Sequence, residues 1–168
     1  MVAGYTSSND SDVTGNHGGI DYWILKLSST GVKQWAYTYG GTGNDQAESI
    51  IQTIDGGYAV AGGTGSNNGD VTGNHGNYDY WILKLSNTGV KQWAYTFGGT
   101  NYDYPNSIIQ TTDGGYAVAG QSGSNDGDVT GNHSVDTTDF WVIKLSSTGV
   151  KQWAHTSVRL RTSVHHQI

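Results

Sequence analysis

DVTGNH, at Asp12–His17, is the stretch that decides the fold, because it returns at Asp70–His75 and again at Asp128–His133. The copies lie 58 residues apart, and residues 12–69 differ from residues 70–127 at only 13 positions. Near-identical copies at a fixed period are typical of repeat proteins, in which each unit packs against the next. A residue that returns in every copy is expected to serve the scaffold, so function is best sought where the copies differ.

Each copy reads as two β-hairpins. In the first copy, residues 21–28 and 32–39 flank a Ser-Thr-Gly turn, and residues 47–54 and 58–64 flank Asp55-Gly56-Gly57. β-Branched and aromatic residues dominate the arms, and Asp-Gly-Gly suits the positive φ angles of a tight hairpin. Four short antiparallel strands per repeat of this length are typical of a β-propeller blade. We therefore predict an all-β, propeller-like repeat protein with four-stranded antiparallel blades.

The repeat defines the predicted organisation of the chain. We expect repeats over 12–69 and 70–127, preceded by the end of one blade (1–11) and followed by the start of a third repeat (128–156). Counted in strands this is one, four, four and two, a partial propeller of about two full blades plus flanking strands. Its unpaired edges predict self-association, further blades from a longer parent chain, or both. Residues 157–168, SVRLRTSVHHQI, depart from the repeat and suggest a truncated or frame-slipped end, or a replacement strand.

The strongly apolar strands, such as YWILKL and YAVAG, predict sheets that are covered on both faces. Indoles at fixed repeat positions are expected to fill the space between blades. The six tryptophans occupy two such positions, one at Trp23, Trp81 and Trp141 and the other at Trp35, Trp93 and Trp153.

Composition excludes several classes of function. The net charge is −6, and all six lysines fall at two repeat positions, so no basic stripe is available for a nucleic-acid backbone. The chain has no cysteine, hence neither disulfides nor thiolate metal sites. No apolar run approaches the roughly 20 residues of a membrane span, and no signal peptide precedes the repeats. We expect no membrane insertion, and we expect the sequence to be a piece of a longer protein.

Residues 35–64, WAYTYGGTGNDQAESIIQTIDGGYAVAGGT, and their copy from Trp93 resemble the β-propeller repeats called SBBP. The shared pattern runs from a Trp through Gly-Gly and an Asn-Asp pair to an apolar strand, Asp-Gly, a Tyr-containing strand and Gly-Thr. The resemblance implies a secreted or surface-attached bacterial protein of mostly undefined activity. The second copy departs from the pattern, since Asn101-Tyr102 replaces Gly43-Asn44, and the third breaks off at Ser157.

The loops before each DVTGNH carry oxygen side chains at alternate positions, a pattern that a calcium ion could use. Asp, Asn, Ser and Gly are equally what an ordinary turn requires, and the glutamate that closes an EF-hand loop is missing. Turn chemistry is therefore the favoured interpretation and calcium the alternative; otherwise no cofactor is expected. The candidate calcium ligands are Asp10, Asp12, Asn68, Asp70, Asp126 and Asp128.

His17, His75 and His133 occur once per repeat, and we favour hydrogen bonding within their loops over a zinc site. Residues 53–57 and 111–115, each containing Asp-Gly-Gly, partly match the Asp-box of sialidase-type propellers. There too the resemblance implies a structural turn, since Asp can accept hydrogen bonds from its own turn.

Catalysis is not expected. Glycoside hydrolysis normally needs two opposed carboxylates about 5 to 10 Å apart. Asp45 and Glu48 form the only local acidic pair, and the second copy keeps Asp103 but has Asn106 in the other place. Nothing in the sequence resembles a nucleophile elbow or a phosphate-binding loop.

The copies differ most between Gly43 and Glu48, where GNDQAE becomes NYDYPN. Aromatic rings beside amide and acid groups suit a sugar or a protein partner, whereas neutral drift in an exposed loop is the alternative. We predict a non-catalytic interaction module, with a structural spacer and a glycan-processing enzyme as the rival interpretations. The candidate ligand-binding residues are Tyr78, Asn101, Tyr102, Tyr104, Asn106, Asp45 and Glu48.

Overall fold

The chain folds into strands and loops throughout the part that the computed structural model describes, residues 1–133 and 138–157. Of the divergent tail, only Ser157 lies within the described residues. No helix in the described part is long and apolar enough to cross a membrane. The strands in chain order are β1 (Val2–Thr6), β2 (Asp21–Leu27), β3 (Lys33–Tyr39), β4 (Asp45–Gln52), β5 (Tyr58–Thr64), β6 (Asp79–Leu85), β7 (Lys91–Phe97), β8 (Asp103–Gln110), β9 (Tyr116–Ser122), β10 (Asp139–Leu145) and β11 (Lys151–Ser157).

These strands form three antiparallel sheets, each a meander in chain order. The first sheet contains β1 to β3, the middle sheet β4 to β7, and the last sheet β8 to β11. The prediction of an all-β repeat fold with four-stranded antiparallel sheets is confirmed. The division into one, four, four and two strands is wrong, because β3 and β4 follow each other in sequence but lie in different sheets. Each four-stranded sheet takes two strands from one copy of the repeat and two from the next.

Identical strands differ in burial according to the position of their sheet. Residues 21–27 and 79–85 both read DYWILKL. All seven residues are buried in the middle sheet, whereas only Asp21, Tyr22 and Ile24 are buried in the first. Trp81 is 1% exposed, whereas Trp153, on the last sheet, is 51% exposed. Coverage on both faces is therefore found for the middle sheet, and one face of each outer sheet is uncovered within the described residues.

A tyrosine and a tryptophan join each sheet to the next. The Tyr22 hydroxyl donates to the backbone oxygen of Trp81 over 3.1 Å, and the two rings lie 4.6 Å apart. Tyr80 repeats both contacts with Trp141 at the same two distances. All four side chains are buried. The contact between sheets is thus the same one made twice, as expected of a repeat protein.

Glycine makes room for this contact. A Cβ atom on Gly62 would lie 2.4 Å from the Tyr22 hydroxyl, and one on Gly120 would lie 2.6 Å from the Tyr80 hydroxyl. Both glycines belong to inner strands, β5 and β9, where the backbone of the paired strand lies even closer than the hydroxyl, at Gln46 O and Tyr104 O, so no side chain fits.

We predict that replacing Ile82 by alanine lowers the free energy of unfolding by about 2 to 5 kcal/mol, because it opens a cavity in the core between the middle and last sheets. Ile54 is the matched control, since it is 93% exposed and its replacement by alanine should change stability by less than about 0.5 kcal/mol. Urea denaturation of the two variants measures both values. Equal losses would contradict this assignment of the core.

Candidate functional site

Four of the predicted ligand-binding residues come together at one end of the middle and last sheets. The rings of Tyr78 and Tyr102 are stacked, with centroids 5.8 Å apart and planes 17° apart. The Tyr104 ring lies 6.2 Å from that of Tyr78, and Glu48 contacts its hydroxyl. We call Tyr78, Tyr102 and Tyr104 the tyrosine cluster. Tyr102 is its most accessible member and is 58% exposed.

The backbone that carries the cluster is common to both repeats. Tyr78 precedes β6 and Tyr102 precedes β8, and the two residues form a parallel bridge. The Asp103 backbone N–H donates to the Tyr78 backbone oxygen over 2.7 Å. In the previous repeat the same bridge joins Ile20 and Asn44. The scaffold therefore fixes these positions, while the side chains are free to change from one repeat to the next.

Tyr104 ties the cluster to β4 of the middle sheet. Its hydroxyl oxygen lies 2.7 Å from Gln46 Oε1 and 2.8 Å from Glu48 Oε1. Partial burial, together with the hydrogen bond to the Glu48 carboxylate, raises the pKa of Tyr104 far above its ordinary value. The hydroxyl is therefore a proton donor at neutral pH and holds the ring in place.

Sequence reasoning missed two residues of this arrangement, Gln46 and Gly63. A Cβ atom on Gly63 would lie 2.6 Å from the Tyr104 ring, so only glycine leaves space for that ring. The next repeat has Gln121 at the place of Gly63 and Tyr104 at the place of Gln46. The sequence did contain a signal for these two residues, because the pairs Gln46/Tyr104 and Gly63/Gln121 are among the 13 positions at which the copies differ.

The structure separates Asp45 from the cluster. Its carboxylate is fully buried and accepts hydrogen bonds from the Gly41 backbone N–H and the Ser66 hydroxyl, each over 2.8 Å, and from the Thr64 hydroxyl. Burial raises the pKa of Asp45, and these hydrogen bonds oppose the rise. Asp45 thus holds loops together and is closed to a ligand.

The two candidate asparagines differ in their position relative to the rings. Asn101 donates its side-chain N–H to the backbone oxygen of Gly123 over 3.1 Å, which fixes the loop after β9. Asn106 lies on the uncovered side of the last sheet, where it lines a small pocket of about 110 Å³ with Gln121 and Phe140. Asn106 is therefore not placed to share a ligand with the stacked tyrosines, whereas Asn101, exposed and adjacent to Tyr102, stays a candidate.

Buried aspartates face each other in pairs beside two of the glycines. A Cβ atom on Gly98 would lie 2.4 Å from Asp79 Oδ1 and 2.7 Å from Asp103 Oδ2, and Gly40 has the same relation to Asp21 and Asp45. All four carboxylates are fully buried. Burial raises the pKa of both Asp79 and Asp103. The negative charge of Asp103 raises the pKa of Asp79 further. These fully buried pairs are closed to a substrate, and their carboxylates hold neighbouring loops together through hydrogen bonds.

The repeated histidines bind the same buried acids. In each repeat the histidine backbone N–H and Nδ1 both contact one carboxylate oxygen, and the Nδ1 distances are 2.8 Å for His17 to Asp21, 2.8 Å for His75 to Asp79 and 2.9 Å for His133 to Asp139. These contacts are the hydrogen bonds within the loops that the sequence favours for the three histidines. Across residues 1–133 and 138–157, no three His, Asp or Glu side chains converge as a metal site.

The candidate calcium ligands have protein partners in most cases. Asp12, Asp70 and Asp128 form ion pairs with Lys33, Lys91 and Lys151, the lysines at the second repeat position. Asn68 and Asp126 accept the backbone N–H of Thr42 and Thr100, each over 2.8 Å, and Asp10 is exposed. These contacts fit the turn interpretation, and calcium binding stays a prediction.

The lysines at the first repeat position lock the Asp-Gly-Gly turns. Asp55 Oδ1 accepts hydrogen bonds from the Thr53 hydroxyl and, over 3.1 Å, from the Gly57 backbone N–H. Its Oδ2 lies 2.8 Å from Nζ of Lys84, whose side chain is only 5% exposed. Lys144 contacts Asp113 in the same way. The turn is structural, and it neutralises a buried ammonium group.

No protein-family model matches the sequence, and a search of curated proteins gave no significant match. The resemblance to SBBP repeats therefore stays a prediction, and the site must be interpreted from its own geometry.

We predict that replacing Asp55 by asparagine lowers stability at neutral pH by about 1 kcal/mol, a low value for a lost charged hydrogen bond because Asp55 is half exposed. The hydrogen bond from Lys84 is the main cause that lowers the pKa of Asp55 from 3.8 to about 2. A lowered pKa in the folded state stabilises the protein above the unfolded value, and this contribution is lost as the pH falls.

The difference between wild type and Asp55→Asn should accordingly shrink as the pH falls from 3.8 to about 2. Denaturant titrations at a series of pH values measure it. Asp10→Asn, at an exposed loop position, is the control. The assignment of Asp55 would be wrong if the two variants had the same stability at neutral pH.

Proposed function

We propose that this chain is a non-catalytic interaction module of a secreted or cell-surface β-propeller protein, and that its tyrosine cluster binds a glycan. The observation that carries the proposal is the exposed Tyr102 ring, stacked on Tyr78 where the repeat scaffold tolerates change. The SBBP resemblance supports the cellular location.

The tyrosine cluster is held rigidly, which favours binding of a ligand that makes few contacts. Tyr78 is held by its backbone bridge to Tyr102 and lies beside Gly65, where a Cβ atom would be 3.3 Å from the ring. Tyr104 is anchored through Gln46 and Glu48. Rings already fixed in place lose little conformational freedom on binding, so more of the contact energy appears as affinity.

The groups around the rings suit a sugar. The exposed Tyr102 ring offers a flat apolar surface. Polar groups lie beside the other two rings of the cluster, since the exposed Glu48 carboxylate contacts Tyr104 and the Asn44 side chain is hydrogen-bonded to Tyr78. A sugar ring presents an apolar C–H face and hydroxyl groups at its edge, which complements such a surface.

The arrangement does not favour an enzyme. Glu48 is the acid that contacts the cluster, and its oxygen is engaged by the Tyr104 hydroxyl. Asp45, its partner in the sequence, is fully buried. Hydrolysis of a glycosidic bond requires two acids facing the same bond. A structural spacer is the second candidate function, and the twice-made tyrosine–tryptophan contact between sheets favours it.

A printed array of diverse oligosaccharides, followed by calorimetric titration of any sugar that binds, tests the proposal. Replacing Tyr102 by alanine should weaken binding at least about tenfold, since it removes the stacking surface. Tyr102→Phe keeps the ring and is the matched control, expected to bind nearly as well as wild type. Lack of binding to every sugar would favour the spacer, and equal binding by the alanine variant would place the ligand elsewhere.

A further inference from the structure

Each sheet has two different faces, and the contacts between sheets define them. The outgoing face packs on the next sheet along the chain, and the incoming face receives the previous one. The outgoing positions are Tyr22, Trp35 and Tyr37 in the first sheet, Tyr80, Trp93 and Tyr95 in the middle sheet, and Phe140, Trp153 and His155 in the last. The incoming positions are Trp23, Leu25 and Gly31, then Trp81, Leu83 and Gly89, then Trp141, Ile143 and Gly149.

Within the chain, outgoing and incoming faces meet twice in the same way. The Tyr22 ring packs tilted against that of Trp81 with centroids 4.6 Å apart, and the Tyr37 ring covers the turn at Gly89, where a Cβ atom would lie 2.8 Å from it. At the next interface the Tyr95 ring lies 2.7 Å from the corresponding position on Gly149. At each interface an aromatic ring of the preceding sheet thus packs against a glycine at positive φ.

The same two faces are uncovered at the outer sides of the described sheets. On the incoming side of the first sheet, Gly31 has no atom within 4 Å of its Cβ position, and Val2 is 46% exposed. On the outgoing side of the last sheet, Phe140 is 47% exposed and Ile109 is 56% exposed. Large apolar side chains that are exposed together on one sheet face are typical of a protein interface.

We propose that these two faces bind each other between copies of this chain, so that the last sheet of one copy packs on the first sheet of another. The support is the internal contact itself. β2 is identical in sequence to β6, so β2 offers a second copy the same side chains that β6 offers the first sheet. On the other side, Phe140 replaces Tyr80 and Trp153 matches Trp93.

The predicted contact follows position by position. Phe140 stacks on Trp23, His155 covers the turn at Gly31, and Trp153 packs beside it, as Trp35 does beside Gly89. Phe140 has no hydroxyl to donate to the Trp23 backbone, so this contact lacks the hydrogen bond of the internal ones. It is therefore weaker than the interfaces within the chain and should depend on protein concentration.

Such an interface joins two different surfaces and generates a ring if the rotation closes. Two copies bring six sheets, within the range of about four to eight blades found in closed propellers. We therefore expect a dimer as the smallest closed assembly.

The test uses two variants that block one face each. Phe140→Glu places a charge on the outgoing face, and Leu27→Glu, at a position 36% exposed, places one on the incoming face. Sedimentation velocity from about 1 μM to 1 mM should show dimer for wild type and monomer for each variant alone. An equimolar mixture of the variants should dimerise again, but only at higher concentration than wild type, because one intact outgoing face meets one intact incoming face while the second interface stays blocked.

Ile54→Glu is the control, since Ile54 is 93% exposed and lies on a turn between β4 and β5. Circular dichroism and thermal melting establish that each variant is folded, and Trp153→Glu with Val2→Glu serve as a second pair if one is not. Wild-type protein that remains monomeric throughout the concentration range would overturn the proposal. So would a mixture that stays monomeric throughout the same range while wild type dimerises.

Discussion

The structure depends on the contact in which a tyrosine of one sheet packs its ring, tilted, against a tryptophan of the next and donates to its backbone. Both side chains are fully or almost fully buried, and glycines at Gly62 and Gly120 let the hydroxyl approach. The contact combines apolar burial with a satisfied polar group, which avoids the cost of burying an unpaired hydroxyl. The first and middle sheets supply the tyrosine and the middle and last sheets supply the tryptophan, so one repeated sequence builds both interfaces between the described sheets.

The strands could be predicted from the sequence, but their assignment to sheets could not. β-Branched and aromatic content, turn residues and the period locate the described strands because these are local signals. Which strands share a sheet depends on whether β4 pairs with β3 or begins the next sheet. The residues of the connecting loop, Gly40 to Asn44, do not distinguish these two connections. Burial likewise depends on neighbours, as the two DYWILKL strands demonstrate.

The candidate site was partly predictable for the same reason. Comparing repeats identified Tyr78, Tyr102, Tyr104 and Glu48, because relaxed positions cluster where the scaffold makes few demands. It failed for Asn106, the counterpart of Glu48, because that residue lies one sheet further along and faces the uncovered side of the last sheet, away from the rings. It failed for Asp45 because an invariant acid in a loop resembles a ligand until its hydrogen-bond partners are known.

The identity of β2 and β6 also has a kinetic consequence. β1 pairs with β2 and β5 with β6 in matching registers, and the loops that join these partners, residues 7–20 and 65–78, have equal length. During folding, β5 therefore meets two strands with the same side chains, and only chain connectivity distinguishes them. Exchange of such equivalent hairpins is a characteristic misfolding route of repeat proteins, and synthesis from the N-terminus opposes it by engaging β2 with β1 before β5 emerges.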